Sequence, residues 1–214
     1  FETLYKEGLK ACASTPFVDS RGEIPVEIGI GTRDGDPDVM SYPVKNSLVP
    51  VPWLESPVAQ VMTSLCDFEG EAYFADPRQV LRQCCKQLED LGLKPVVATE
   101  MEFYLLEAGD DIVPRPKLGS IPGTRLKQEG LQYLTLEDLW ENDALLMDIH
   151  RHCEMQNIPV TTALSEFAPG QFEINLHHVD DPITACDQGV MLKRIIKGSA
   201  FKHGLGASFM AKPF

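Results

Sequence analysis

Apolar residues recur with two periods along this chain, and the changes of period divide it into elements. Val26, Ile28 and Ile30 alternate with Glu27 and Gly29, which predicts a strand over 26–30. Asp34-Gly-Asp-Pro37 predicts a turn, and 42–51 carry further short extended stretches. Residues 1–75 therefore read as a small β-rich module. At Asp76-Pro77 the period lengthens. Asp suits the N-cap and Pro the first helical position, and Val80, Leu81, Cys84, Leu88 and Leu91 follow at helical spacing up to Gly92. This predicts a helix over 77–91. A period of two returns over 96–106, with Val97, Thr99, Met101, Phe103 and Leu105 on one face and Ala98, Glu100, Glu102 and Tyr104 on the other. The next segment, 108–134, is broken by Pro114, Pro116, Pro122 and several glycines, and reads as a long irregular loop of the kind that often carries function. Thr135 and Asp138 resemble a capping box, and Leu139, Leu146, Ile149 and Cys153 continue a helix to 156. The apolar run 158–164 reads as a strand. Over 171–178 Phe172, Ile174 and Leu176 face one way, and Gln171, Glu173, Asn175 and His177 the other. Asp181-Pro182 repeats the cap signal of Asp76-Pro77 and opens a helix to Lys202, closed by His203-Gly204.

Composition narrows the class. With 43% hydrophobic and 24% charged residues over 214 positions, the chain is long enough to bury a core and is neither disordered nor fibrous. No apolar run approaches the roughly 18 residues of a membrane helix, and no signal-peptide pattern opens the sequence. It starts at Phe1 rather than Met and stops just after Lys212-Pro213, so a fragment is expected. The 19 basic against 32 acidic residues, a net charge of −13, suit neither DNA nor RNA. Most of this acidity serves solubility; the sharper reading is that some carboxylates gather around cations. Cys12, Cys66, Cys84, Cys85, Cys153 and Cys186 form no C-x-x-C pair and read as free, mostly buried thiols of a cytoplasmic protein.

The candidate chemistry is carboxylate chemistry. Glu100 and Glu102 lie roughly 6.5–7 Å apart on one strand face, flanked by apolar residues that suggest an internal strand. Such a pair repels itself unless a cation compensates, and oxygen-only donors suit Mg²⁺ or Mn²⁺. The plain alternative is two glutamates on the wet face of a one-sided sheet. In Ser165-Glu-Phe-Ala-Pro-Gly-Gln-Phe-Glu173 a Pro-Gly turn is placed to bring Glu166 and Glu173 toward the same point. Four carboxylates on three extended segments would make an oxygen-rich cage of the kind used in phosphoryl transfer. His177 shares the face of Glu173, whereas His178 reads as a core histidine and His150 and His152 as surface residues. No glycine-rich phosphate loop or G-x-S-x-G elbow occurs.

The stretches Asp76-Pro-Arg-Gln-Val-Leu-Arg82, Thr99-Glu-Met-Glu-Phe-Tyr-Leu-Leu106 and Ala168-Pro-Gly-Gln-Phe-Glu173 resemble the glutamine synthetase superfamily. The match continues through Asp181-Pro182, His203-Gly204 and Phe209-Met-Ala-Lys-Pro213, and Glu173-Ile-Asn-Leu-His-His178 is most similar to the γ-glutamylpolyamine synthetase branch. The resemblance implies an α+β fold: a partial β-grasp module over 1–75, then over 76–214 the first part of a catalytic domain with an antiparallel sheet and helices. It implies a ligase that uses ATP to phosphorylate the γ-carboxylate of glutamate and then admits ammonia or an amine. Glu102, Glu166 and Glu173 would bind one Mg²⁺ or Mn²⁺ and Glu100 a second against the ATP phosphates. Gly170, Gln171, Asn175 and His177 would lie beside substrate and nucleotide. Asp19, in Phe17-Val-Asp-Ser-Arg-Gly22, resembles the acid that binds the amine and reaches a neighbouring subunit, which implies a dodecamer-type homo-oligomeric ring. The family's later His and Arg motifs would lie beyond Phe214, so residues 1–214 alone are expected to be inactive. Two other readings remain open: a non-catalytic scaffold of the same family, and a metal-dependent hydrolase using the same carboxylates.

Overall fold

The computed structural model describes residues 2–19, 21–31, 35–109 and 113–214. These form an α+β protein of two compact units, one of residues 1–49 with 59–95, the other of residues 50–58 with 96–214. The position 75/76 suggested by the sequence falls inside the first unit. No helix among the described residues is long and apolar enough to cross a membrane.

The first unit opens with α1 (Glu2–Glu7) and a three-stranded antiparallel sheet in the order β1-β2-β5, from Leu9–Cys12, Asp38–Pro43 and Thr63–Cys66. This is the small β module the sequence predicts. The two-residue strands β3 (Val49–Pro50) and β4 (Ala59–Gln60) flank the segment that joins the second unit. The strand expected over 26–30 does not form. Val26–Ile28 is a 3₁₀ turn, with Ile28 N–H donating to Pro25 O at 3.2 Å, because Gly29 and Gly31 adopt φ of +74° and +99° and deny an extended path. The expected turn at Asp34 falls partly outside the described residues; Gly35 and Asp36 have positive φ.

Helix α2 (Pro77–Asp90) is built as its ends predict. Asp76 Oδ1 accepts the Arg78 N–H at 2.9 Å, while Oδ2 accepts Ser64 Oγ–H at 2.6 Å and Leu65 N–H at 2.7 Å, tying the helix to β5. Gly92 follows with φ +72°. Its apolar stripe is not core: none of its residues is buried.

The second unit centres on a four-stranded antiparallel sheet, β7-β8-β6-β9, from Val160–Ser165, Gln171–Leu176, Glu100–Leu106 and Gly206–Ser208. Helices α3 (Leu136–Glu141), α4 (Asp143–Met155) and α5 (Pro182–Lys202) complete it. The buried residues Phe103, Leu105, Phe172, Ile174 and Leu176 from the strands, Ile149 and Cys153 from α4, and Leu192, Ile195 and Ile196 from α5 form its core. The helix expected over 135–156 is broken at Asn142. Its side chain accepts from Lys117 Nζ at 2.7 Å and donates to Asp138 O at 2.8 Å, which fixes φ −112° and ψ 12° there. Burial pushes the Lys117 ammonium below its ordinary range.

Polar groups between α4 and α5 were misread from sequence. His152 is buried, its Nδ1 2.8 Å from Ser199 Oγ, because three residues separate it from Ile149 on the core side of α4. His178 is exposed, since β8 ends at Leu176. Asp148 accepts from Lys202 Nζ and His203 Nε2, each at 2.9 Å, and pairs with Arg151 at 3.0 Å. None of the six cysteines forms a disulfide, and only Cys153 is buried: Cys66 and Cys85 are half-buried, and Cys12, Cys84 and Cys186 exposed.

Segment 50–58 packs as a strap within this unit. Val51 N–H donates to Val58 O at 2.8 Å, and Gln156 Nε2 donates to Pro50 O at 2.7 Å. The Trp53 ring lies against Gly198 of α5, where a Cβ would clash with it, and 6.1 Å from the His152 ring.

Candidate functional site

Register decides which carboxylates meet. On β6 and β8, Glu102 stands opposite Glu173, Glu100 opposite Asn175 and Tyr104 opposite Gln171. On β7, Thr162 stands opposite Asn175 and Leu164 opposite Glu173; Glu166, two residues beyond Leu164, donates its N–H to Gln171 O at 2.9 Å. Period-two alternation then puts Glu100, Glu102, Glu166 and Glu173 on one sheet face, with Tyr104, Gln171 and Asn175 among them. The opposite face is the apolar core. The sheet alternation thus separates the two functions of these strands, packing on one side and charge on the other.

The four differ in burial. Glu173 is buried, Glu166 half-buried, and Glu100 and Glu102 exposed. The exposure of Glu100 and Glu102 matches the wet-face alternative: β6 is interior to the sheet, flanked by β8 and β9, but its polar face lies open. Directly opposed carboxylates such as Glu102 and Glu173 have Cβ atoms about 4.5–5.5 Å apart and repel. Among the described residues, none of the four forms an ion pair. Burial, with Glu102 and Glu166 adding their charge, raises the Tyr104 phenol above its ordinary value.

The present rotamers turn two of these groups onto hydrogen-bond donors. Glu102 Oε2 accepts Gln171 Nε2 at 2.7 Å, and Glu166 Oε2 accepts Phe167 N–H at 3.0 Å. Accordingly, no three His, Cys, Asp or Glu side chains among the described residues stand together as a ready ligand set. The donors still suit a hard divalent cation: all are oxygens on one face, and Asn175 Oδ1, buried there, has no hydrogen-bond partner.

Gly170 is required by the turn that carries Glu166 toward Glu173. It has φ +74°, and a Cβ would lie 3.0 Å from Lys117 O. Gln132 fixes that turn from the long loop, accepting Gly170 N–H at 3.0 Å and donating to Gln171 O at 2.7 Å. Sequence reading missed Gln132 because the loop has no periodicity to mark a buried position. His177 lies one residue past β8, exposed, its N–H donating to Pro159 O at 3.1 Å. Beside the same face, Tyr104, Ala168, Pro169 and Lys212 help line a cavity of about 460 Å³.

Asp19 belongs to the first unit. Its Oδ1 accepts the N–H groups of Arg21 and Glu23 at 2.8 and 2.9 Å, and these backbone bonds, Glu23's first, lower its pKa. The turn therefore presents an ionised, oriented carboxylate.

A family model of the glutamine synthetase catalytic domain matches residues 74–214. The chain belongs to the glutamine synthetase family. Among similar proteins, gamma-glutamylputrescine synthetase PuuA of Escherichia coli (strain K12) is 37% identical over 202 residues, covering 94% of this chain and 43% of that protein. Glutamate–isopropylamine ligase of Pseudomonas sp is 33% identical over 183 residues, covering 86% and 39%. The chain thus spans less than half the length of these curated relatives. The ADP complex of GmaS superposes over 100% of this chain and 44% of its own, with a TM-score of 0.75 at 22% identity, a likeness of fold. The resemblance read from the Glu100–Glu102 and Glu166–Glu173 motifs of this glutamine synthetase-family chain is borne out.

Proposed function

We propose that this chain supplies the carboxylate half of an active site that joins glutamate to ammonia or an amine with ATP. The observation that carries this reading is the placement of Glu100, Glu102, Glu166 and Glu173 on one sheet face, with Glu102 directly opposite Glu173. In this reading residues 1–75 are part of a β-grasp domain and 76–214 the first part of the catalytic domain. Glu102, Glu166 and Glu173 hold one Mg²⁺ or Mn²⁺, and Glu100 holds a second beside the ATP phosphates. Such ions, when bound, offset the charge of the phosphates and of the transferring phosphoryl group.

The chain's own residues do the positioning. Gly170 and Gln132 hold the turn that sets Glu166 against Glu173, and Gln171 steadies Glu102 through its amide. The γ-carboxylate of glutamate is phosphorylated, and the amine then displaces phosphate to form the γ-glutamyl amide. Asp19 accepts N–H bonds from the incoming ammonium group, serving a neighbouring copy in a cytoplasmic homo-oligomeric ring. The names of the relatives support an amine or ammonia as co-substrate.

Calorimetric Mn²⁺ titration tests the carboxylate assignment. Glu102→Ala is expected to weaken binding at least about tenfold. An unchanged isotherm would remove Glu102 from the ligand set and with it the basis of the reading.

A further inference from the structure

His152 is a titratable group that the carboxylate chemistry does not use. It stands on α4, only 4% exposed, and meets two other segments of the second unit. Its Nδ1 lies 2.8 Å from Ser199 Oγ of α5, and the Trp53 ring of the 50–58 strap lies 6.1 Å from its own, tilted by 59°. The strap closes on itself through the Val51 N–H bond to Val58 O at 2.8 Å. It is tied to α4 where Gln156 Nε2 donates to Pro50 O at 2.7 Å, and Trp53 seats in the space that Gly198 leaves on α5.

The charges around His152 leave an imidazolium without a counter-ion. Asp148 and Arg151 face it from α4, and Lys202 and His203 from the end of α5; the single titratable residue of the strap, Glu55, is exposed. Asp148 is already shared by Lys202 Nζ and His203 Nε2, each at 2.9 Å, and by Arg151 at 3.0 Å. Ser199 offers a neutral partner only. Burial above all, with Lys202, Arg151 and His203 adding to it against the pull of Asp148, holds the His152 pKa below its ordinary value. The tilted Trp53 ring stands at the limit of cation–π range and offsets little of this. A proton on His152 would therefore be an unpaired charge beneath Trp53, and moving the strap aside would return it to water.

We propose that His152 makes the 50–58 strap a proton-operated latch: the neutral imidazole keeps Trp53 seated over α4 and α5, and protonation releases it. The latch is independent of the metal and substrate chemistry proposed for the sheet face. With the strap open, the imidazole regains its ordinary value near 6.5, so the open form binds the proton more tightly. The closed form is fully favoured above about pH 6.5. Below that, the closed-to-open ratio falls up to about tenfold per pH unit until the lowered pKa of the closed form is reached.

Trp53 emission in the 214-residue chain carrying Trp140→Phe tests the latch, since these are the two tryptophans. From about pH 7.5 to 5 the emission is expected to shift to the red and acrylamide quenching to rise, with far-UV circular dichroism unchanged. His152→Gln, which still bonds Ser199 but does not titrate, should abolish the shift; His203→Gln should keep it. NMR titration of the His152 ring gives a second readout that needs no substitution at His152. Its pKa should lie below the ordinary value, and Trp53→Ala should raise its proton affinity about tenfold, because the coupling is reciprocal. Emission that stays constant down to about pH 5 overturns the proposal. So does a shift that persists in a folded His152→Gln protein, vanishes in His203→Gln or comes with loss of the far-UV signal, and so does a His152 pKa that Trp53→Ala leaves in place.

Discussion

Glu173 is buried and stands directly across the ladder from Glu102, an arrangement in which like charges destabilise the pair. Glu173→Gln is expected to raise stability without divalent ions by up to about 1 kcal/mol and to abolish most of the stabilisation that Mn²⁺ confers. Paired thermal melts with and without Mn²⁺ measure both effects; equal Mn²⁺ shifts in the two proteins would contradict the assignment. Asp148 is the converse, a carboxylate surrounded by cations. The Lys202 hydrogen bond first, then His203 and Arg151, hold its pKa down from 3.8 to about 2. A folded-state pKa below the unfolded one stabilises fully above the ordinary value and is lost as pH falls through the folded one. Asp148→Asn should therefore cost about 1–3 kcal/mol at neutral pH and leave acid unfolding less steep between pH 4 and 2. Denaturant titration across that pH range measures it. The carboxylates of the sheet were legible in the sequence because a strand alternates strictly, so Glu100, Glu102 and Glu173 could share only one face. Gln132 and His152 were not legible: one lies in an aperiodic loop, and the other is buried by α5, which follows it by some thirty residues.

Elements announced by their ends were read well, and elements set by partners were not. Asp76-Pro77 and Asp181-Pro182 mark the starts of α2 and α5 because the cap bond is local. The 26–30 alternation misled because a strand needs a partner and an extended path, and Gly29 and Gly31 take positive φ. Strand β9 gave no signal, since Gly206-Ala-Ser208 has no apolar alternation and exists by pairing with β6. Removing the α2 cap should be costly, because Asp76 serves three donors: Asp76→Ala is expected to destabilise by about 1–3 kcal/mol, read as a shift in urea midpoint. Gly198 matters to α5 through space alone. A methyl there meets the Trp53 ring, so Gly198→Ala should cost about 1–3 kcal/mol, and Trp53→Leu in the same chain should recover part of it. A double-mutant cycle showing no coupling would contradict this contact.

On the scale of the whole molecule, the net charge of −13 is spread over both units, and only a few of its carboxylates, Glu100, Glu102 and Glu173, share the β6–β8 face. The strap at 50–58 bears on something else, the order in which the protein can be made and cut. The family match begins at residue 74, yet the second unit needs a piece of chain some twenty residues upstream of that point. A catalytic piece started at residue 76 would leave Gly198 and His152 without Trp53 over them. It should unfold at lower temperature than the same residues within 1–214, and a synthetic peptide spanning 49–59, added in trans, should restore part of the loss. Homology boundaries follow ancestry, but folding boundaries follow contacts, and here a nine-residue loan from the N-terminal region makes the two differ.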